Sequence, residues 1–392
     1  MEKILVVEDN TSLATMLSLK IESALPFEVD IAYSLKEAQL FVRKFDYFIV
    51  LLDSHLPDAP NGEAVDAMLS KAMNCIVLSN NVDKVFRQKM LQKPIIDYIG
   101  KGGVEEVDFI ISTIERLHKN RNHTVMLVDD SMVFRKQMKS MLEHLFFHVI
   151  ACAHGEEAIN LLQERDDISL VITDYNMPVM NGLELTAAIR KQFKKHQLSI
   201  LAISGNSDDD VSAMFLKKGA TDFIKKPFLK EEFSCRVNNT IEALENTAAI
   251  TNSANRDFVT GLYNRRYFDS YMQQYLEQVQ ERSEHFVLVM AEPRSPATQQ
   301  ELVQVSEILR SYIEPYDLLV RYSEEEFCMV LKQRTSEQTR TLLERIVDYA
   351  KGVDTDIALG FTCHFDNGLQ EMLNHVDMML HNAKHSGDIE GD

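Results

Sequence analysis

Residues 169–182 read SLVITDYNMPVMNG, and residues 48–57 read FIVLLDSHLP. Each is an apolar run that ends on an aspartate, Asp174 or Asp53, with a proline closing the following loop at Pro178 or Pro57. A second pair of segments lies upstream, ILVVEDN at 4–10 and VMLVDDS at 125–131. Asp9 precedes Asp53 by the same interval as Asp130 precedes Asp174. Agreement in both motif and spacing means that the chain holds two copies of one module.

Within each copy, short apolar runs alternate with helical patterns. The runs at 4–7, 48–52, 75–78 and 98–99 have the character of buried parallel strands. Leu13, Met16, Leu17 and Ile21 mark one face of a helix. Five such units predict a doubly wound, five-stranded parallel sheet of the α/β class, with ligands at the C-terminal strand ends. The first module spans 1–120, closes on a helix at 104–117, and is followed by a polar linker, KNRNH, at 119–123. The second spans 124–242. Residues 243–256 contain neither Pro nor Gly and predict a helical linker. From 257 to 392 the texture changes. A strand at 286–290, a hairpin at 318–322 and 327–331, a helix at 337–350, a strand at 357–361 and a last helix at 369–385 predict an α+β domain.

Acids outnumber bases to give a net charge of −19, and the basic runs are only pairs, which argues against DNA as a partner. No apolar stretch reaches the roughly 20 residues needed to cross a bilayer, and the start of the chain lacks a signal-peptide pattern, so a cytoplasmic location is expected. Cys75, Cys152, Cys235, Cys328 and Cys363 are scattered, without metal-ligand spacing. Two histidine pairs, His144/His148 and His381/His385, have the spacing of one helix face. Neither carries the glutamate of a zinc motif, and both read as ordinary histidines.

The chemistry-bearing set of the second module is Asp129, Asp130, Asp174, Ser204 and Lys226. Three carboxylates at strand ends need a cation, and Mg²⁺ suits an all-oxygen set. The ion can hold a phosphate donor while one carboxylate attacks phosphorus to give an aspartyl phosphate. Lys226 would then neutralise phosphoryl oxygens, and the Ser204 hydroxyl would bond one of them. The first module carries Glu8, Asp9, Asp53, Ser79 and Lys101 in the same order.

LVDDS, ITDYNMPVMNG, AISGN and DFIKKPF closely resemble the receiver domain of two-component response regulators, over the whole of about 124–242. The resemblance implies a flavodoxin-like fold and a phosphoprotein with Asp174 as phospho-acceptor. It also implies Asp129, Asp130 and the Asn176 carbonyl as Mg²⁺ ligands, and Ser204 with Phe223 as the switch pair. Carried to the first module, it assigns Asp53 as acceptor, Glu8, Asp9 and His55 at the metal, and Ser79, Lys101 and Tyr98 at the switch. That module departs in three ways. Its loop 57–62 is one residue longer, the stretch from Gly62 to Ser79 is shorter and predicts a shortened helix, and Gly102 stands where the second module has Pro227.

RDFVTGLYNRRYFD at 256–269, ALGFTCHF at 358–365 and VDMMLHNAKHSG at 376–387 resemble the ends of the GGDEF family of diguanylate cyclase domains, with a nucleotidyl-cyclase-like fold. The signature hairpin aligns with DLLVRYSEEEFCMVL at 317–331, where Gly-Gly-Asp/Glu-Glu-Phe is replaced by Ser323, Glu324, Glu325, Glu326 and Phe327. Serine and glutamate add bulk and charge where glycine lets a backbone approach a nucleotide. The stretch AEPRSPATQQELVQ at 291–304 lacks the family's metal-binding Asp and guanine-holding Asn and Asp, and Glu314 replaces the Arg of the inhibitory Arg-x-x-Asp site that Asp317 would complete.

The expected function is a response regulator in cyclic di-GMP signalling. It would be phosphorylated by a sensor histidine kinase or phosphotransfer protein and signal through a catalytically inactive GGDEF domain by docking on a protein or as a homodimer. Two other readings stay open: an active diguanylate cyclase that tolerates SEEEF, and a phosphate sink for a histidine kinase.

Overall fold

The computed structural model describes residues 1–80, 84–101, 104–205, 210–282, 285–363, 368–387 and 389–392. Gly102, Asn206, His364 and Phe365, which the motif readings include, lie outside them. Two compact units divide the chain at 247/248.

In the first unit, the chain order is β1 (Glu2–Val7), α1 (Thr11–Ala24), β2 (Phe27–Ala32), α2 (Leu35–Phe41), β3 (Ile49–Asp53), α3 (Glu63–Leu69), β4 (Cys75–Ser79), α4 (Lys84–Leu91), β5 (Asp97–Gly100) and α5 (Val104–Asn120). The same pattern then repeats as β6 (Thr124–Val128), α6 (Met132–His144), β7 (His148–Cys152), α7 (Gly155–Glu164), β8 (Ile168–Asp174), α8 (Gly182–Gln192), β9 (Ser199–Ser204), α9 (Asp210–Lys218), β10 (Asp222–Lys225) and α10 (Lys230–Asn255). The sheets are wholly parallel, ordered β2-β1-β3-β4-β5 and β10-β9-β8-β6-β7, which is one topology built twice.

Local chemistry starts the helices where the acid pockets need them. Asn10 accepts hydrogen bonds from Ser12 N and Leu13 N at the head of α1, and Asn181 and Glu184 form a capping box on α8. A Cβ on Gly182 would stand 2.2 Å from the Asp174 carbonyl oxygen, so only glycine lets α8 begin so close to the end of β8. As expected from the shorter spacing, α3 has 7 residues against 11 in α8.

The linker is shorter than the polarity of 119–123 suggested, since only 121–123 join α5 to β6 outside helix and strand. Helix α5 runs on to Asn120, whose side chain is buried and donates from Nδ2 to the Leu145 carbonyl (2.9 Å) and to Asn238 Oδ1 (3.1 Å). One apolar cluster passes through both sheets here, joining Ile114 and Leu117 of α5 to Leu145, Phe147 and, on α10, Val237 and Ile241. Phe48 stacks on Phe27 at 5.2 Å and meets Phe146 of the second module at 4.6 Å. The two modules therefore share a core. His144 ends α6 and His148 begins β7, so that pair does not share a helix face as its spacing had predicted. His381 and His385 do, with rings 4.6 Å apart.

The second unit contains β11 (Tyr263–Asn264), α11 (Arg265–Arg282), β12 (Phe286–Pro293), α12 (Gln299–Tyr312), β13 (Leu318–Arg321), β14 (Phe327–Lys332), α13 (Ser336–Gly352), β15 (Ile357–Thr362), α14 (Leu369–Ser386) and β16 (Ile389–Gly391). Its mixed sheet has the order β11-β13-β14-β12-β15-β16, with antiparallel pairing from β13 through to β15. Among the described residues all five cysteines are free, and no helix is long and apolar enough to cross a membrane.

Candidate functional site

Parallel strands that stop at one level bring their terminal side chains together. In the first module, Glu8 follows β1, Asp53 ends β3, Ser79 ends β4 and Lys101 follows β5; the side chains of all four are buried, while Asp9 is exposed. Carboxylate oxygens of Glu8, Asp9 and Asp53 lie within 4.8 Å of one another. The Lys101 ammonium sits 2.5 Å from Glu8 Oε2 and 2.6 Å from Asp53 Oδ2. Burial pushes the Glu8 carboxyl above its ordinary range, and Lys101 pulls against that rise. The backbone N–H of His55 donates to Asp53 Oδ1 at 3.0 Å. Tyr98 is buried in the core on one side of the sheet.

The second pocket repeats the plan with a more open rim. Asp129 and Asp174 are buried and Asp130 is exposed. Lys226 Nζ lies 2.6 Å from Asp174 Oδ1 and 3.4 Å from Asp129 Oδ2, and 3.7 Å from the centre of the Phe134 ring. The Lys226 side chain is 27% exposed against 6% for Lys101, so water reaches the second ammonium more readily. Burial likewise raises the Asp129 carboxyl. Asn176 N donates to Asp174 Oδ2 at 2.7 Å, Ser204 is buried at the end of β9, and half-buried Phe223 lies 6.1 Å from Phe215. The structure thus brings together Glu8, Asp9, Asp53 and Lys101 in the first pocket and Asp129, Asp174 and Lys226 in the second; Asp130, His55 and Asn176 are exposed, and Tyr98 and Phe223 pack with the apolar clusters of their modules. Clustered acids with all-oxygen donors fit Mg²⁺, which would relieve the crowding that burial makes costly.

In the second unit, the signature residues form the turn between β13 and β14. Tyr322 N donates to the Glu326 carbonyl at 2.8 Å, Ser323 and Glu324 are exposed, and Phe327 is buried. Glu325 Oε1 accepts from Ala297 N at 3.2 Å. Across the sheet, the residue paired with Phe327 is Ala291, which offers no ligand atom. The polar groups nearby are engaged with one another. Lys384 Nζ is 2.7 Å from Glu292 Oε1, and Arg294 donates to the carbonyls of Ala383, Lys384 and Gly387. Asp317 accepts from Lys332 N and Glu314 N and pairs with Arg334 at 3.1 Å. Sequence reasoning did not find the Arg294 and Glu292 contacts; Glu292 and Arg294 flanking Pro293 were the available signal.

The family model of the response regulator receiver domain matches residues 125–238, and that of the diguanylate cyclase GGDEF domain matches 296–389. A chemotaxis protein CheY homolog of Campylobacter jejuni is 36% identical over 105 residues, which are 26% of this chain and 81% of the relative. The chain belongs to the response regulators. A crystal structure of a putative two-component system response regulator/GGDEF domain protein superposes with a TM-score of 0.56 at 33% identity, covering 62% of this chain and 100% of that one. The peroxide stress-activated histidine kinase mak3 of Schizosaccharomyces pombe is 32% identical over 123 residues, and this chain spans 5% of its length. This response regulator therefore carries a receiver domain followed by a GGDEF domain, with a second α/β domain of receiver topology preceding both. A receiver implies a histidine kinase or phosphotransfer protein as its phosphate source.

Proposed function

We propose that both N-terminal modules are receivers that accept a phosphoryl group, on Asp53 and Asp174, and that the GGDEF domain signals by contact and not by catalysis. The pockets support the first half. Glu8, Asp9 and Asp53, and Asp129, Asp130 and Asp174, would hold Mg²⁺, with the carbonyls of His55 and Asn176 completing the sets. The ion supplies charge neutralisation for an incoming phosphoryl group. Asp53 or Asp174 is the nucleophile, Lys101 or Lys226 meets phosphoryl oxygens, and Ser79 or Ser204 donates to one of them. Tyr98 and Phe223 would report the change from the adjoining strand.

The observation that carries the second half is the mutual pairing of Glu292, Arg294 and Lys384 with groups of the GGDEF domain itself. Lys384 is neutralised by Glu292, Arg294 donates to three carbonyls, and Ala291, opposite Phe327, offers no carboxylate. GTP would have to break these contacts and meet Glu324 at the turn. The test is incubation of the full chain with Mg²⁺ and acetyl phosphate, followed by measurement of aspartyl phosphate, oligomeric state and conversion of GTP to cyclic di-GMP. Phosphate lost stepwise in Asp53→Ala and Asp174→Ala, with a change in self-association and no cyclic dinucleotide, supports the proposal. Product that disappears in Glu325→Ala would make the chain a cyclase.

A further inference from the structure

The second pocket holds its lysine in a way that the first does not. Lys226 Nζ stands 3.7 Å from the centre of the Phe134 ring while it lies 2.6 Å from Asp174 Oδ1 and 3.4 Å from Asp129 Oδ2. One position of the ammonium therefore satisfies the ring and the acceptor carboxylate together. The ring is itself held. Phe134 is in the first turn of α6, where its N–H donates to the hydroxyl of the capping Ser131, and its ring meets that of Phe228 edge to face at 6.4 Å. Phe228 in turn stacks at 5.6 Å on Phe233, a fully buried residue of α10. Lys226 and Phe228 lie on the loop between β10 and α10 with Pro227 between them, so one short segment contacts the ring twice. In the first module the corresponding residues are Leu13 and Gly103, neither of which has an aromatic face. There the lysine, Lys101, is held by burial between Glu8 and Asp53.

An ammonium over a ring face is attracted by the negative charge that the π-electrons place there, and the attraction grows as water is excluded. The two carboxylates beside Lys226 have other duties under the reading above. Asp129 would share its charge with Mg²⁺, and Asp174 gives up its charge when one of its oxygens bonds to phosphorus. An aromatic face offers no oxygen to a hard cation, so its pull on the ammonium stays undivided. As the carboxylates weaken as partners, the ring keeps the ammonium where phosphoryl oxygens need it, and less side-chain freedom is lost on their arrival.

We propose that Phe134 is a positioning residue whose ring, braced by Phe228, holds the Lys226 ammonium beside Asp174 and so tightens the second pocket's grip on a phosphoryl group. This rests on the reading that Asp174 accepts phosphate. It separates two pockets that share their acids and their lysine: the first secures its lysine by burying it, the second by laying it on a ring at a more open rim.

The test uses the full chain carrying Asp53→Ala, so that only Asp174 responds, titrated by calorimetry with beryllium fluoride in excess Mg²⁺. Failure of this parent to bind overturns the reading of Asp174 as an acceptor, and the proposal with it. Where the parent binds, Phe134→Leu, which installs the residue type that the first module has at this place, is expected to weaken binding about two- to fivefold, the size of one cation–π contact at a partly exposed site. Phe134→Tyr keeps the aromatic face and is expected to restore the parent's affinity. Isotopically labelled lysine supplies a second readout. In the proton–carbon spectrum the Lys226 ε-methylene protons, assigned by their loss in Lys226→Arg, should be displaced upfield by the ring current. They should keep that displacement with Mg²⁺ and beryllium fluoride bound, and lose it in Phe134→Leu. Equal or tighter binding by Phe134→Leu, a loss that Phe134→Tyr does not recover, or an undisplaced ε-methylene signal in the bound parent overturns the proposal.

Discussion

Arg116 and Glu245 are 129 positions apart, yet both terminal nitrogens of the guanidinium meet both carboxylate oxygens, at 2.6 and 2.8 Å. His123 joins them from the other side, with Nε2 2.7 Å from Glu245 Oε1. The end of α5, the start of the second module and α10 are thereby tied at one point. A fork-to-fork pair of this kind fixes direction as well as distance.

The Arg116 guanidinium holds the Glu245 carboxyl at about 2, well below its ordinary 4.5, with His123 adding to the effect and burial opposing it. A depressed carboxylate pKa means that the folded state favours the ionised form. The pair's contribution is therefore complete above the unfolded value and drains as the pH falls from about 4.5 toward about 2. Glu245→Gln is expected to cost about 1–2 kcal/mol at neutral pH. Thermal unfolding at a series of pH values should show its deficit from wild type shrinking through that acid window.

Asn120→Ala should destabilise the first unit by about 1–3 kcal/mol, because it strips the donor from the Leu145 carbonyl and the partner from Asn238 in a buried place. The shared core predicts that both modules fall together. Urea unfolding followed by a probe in each module should give coincident transitions for this unit, before and after the substitution.

Mg²⁺ should raise the melting temperature of the chain, and a chelator should remove the gain. An ion at one hundred times its dissociation constant adds about 2.7 kcal/mol per site. Asp53→Asn and Asp174→Asn should each remove part of the rise and the double variant all of it. A rise that survives in the double variant would place the ion elsewhere.

Restoring glycine at the turn should not restore a cyclase. The double variant Ser323→Gly with Glu324→Gly opens the signature, but Ala291 still faces Phe327 and Lys384 remains paired with Glu292. Incubation of that variant with GTP and Mg²⁺ should yield no cyclic di-GMP, measured by chromatography.

The repeat makes both parallel sheets legible in the sequence, because a strand that ends on an aspartate has the same local grammar each time it occurs. Asp53, Asp174, Ser79, Ser204, Lys101 and Lys226 could be placed for the same reason: topology alone puts strand ends together. Polarity misled at 119–123, where Asn120 is buried by a partner, Asn238, far away in the chain. Helix α11 was not legible, since Tyr267, Tyr271 and Tyr275 continue along it a stack that begins at Tyr263 of β11 and do not form a plain apolar stripe. Nor could the 2.8 Å contact between the Ser54 and Ser79 hydroxyls be read from the sequence, because β4 brings the second hydroxyl beside the first.

The core that runs through both modules has a consequence for descent. A recombination break between residues 120 and 124 would strand Phe48 and Phe146, which now cover each other, and would leave each fragment with a greasy scar where a neighbour used to be. The two modules are sealed along Phe48, Leu117, Leu145 and Phe147, so neither half is expected to keep its stability when expressed without the other.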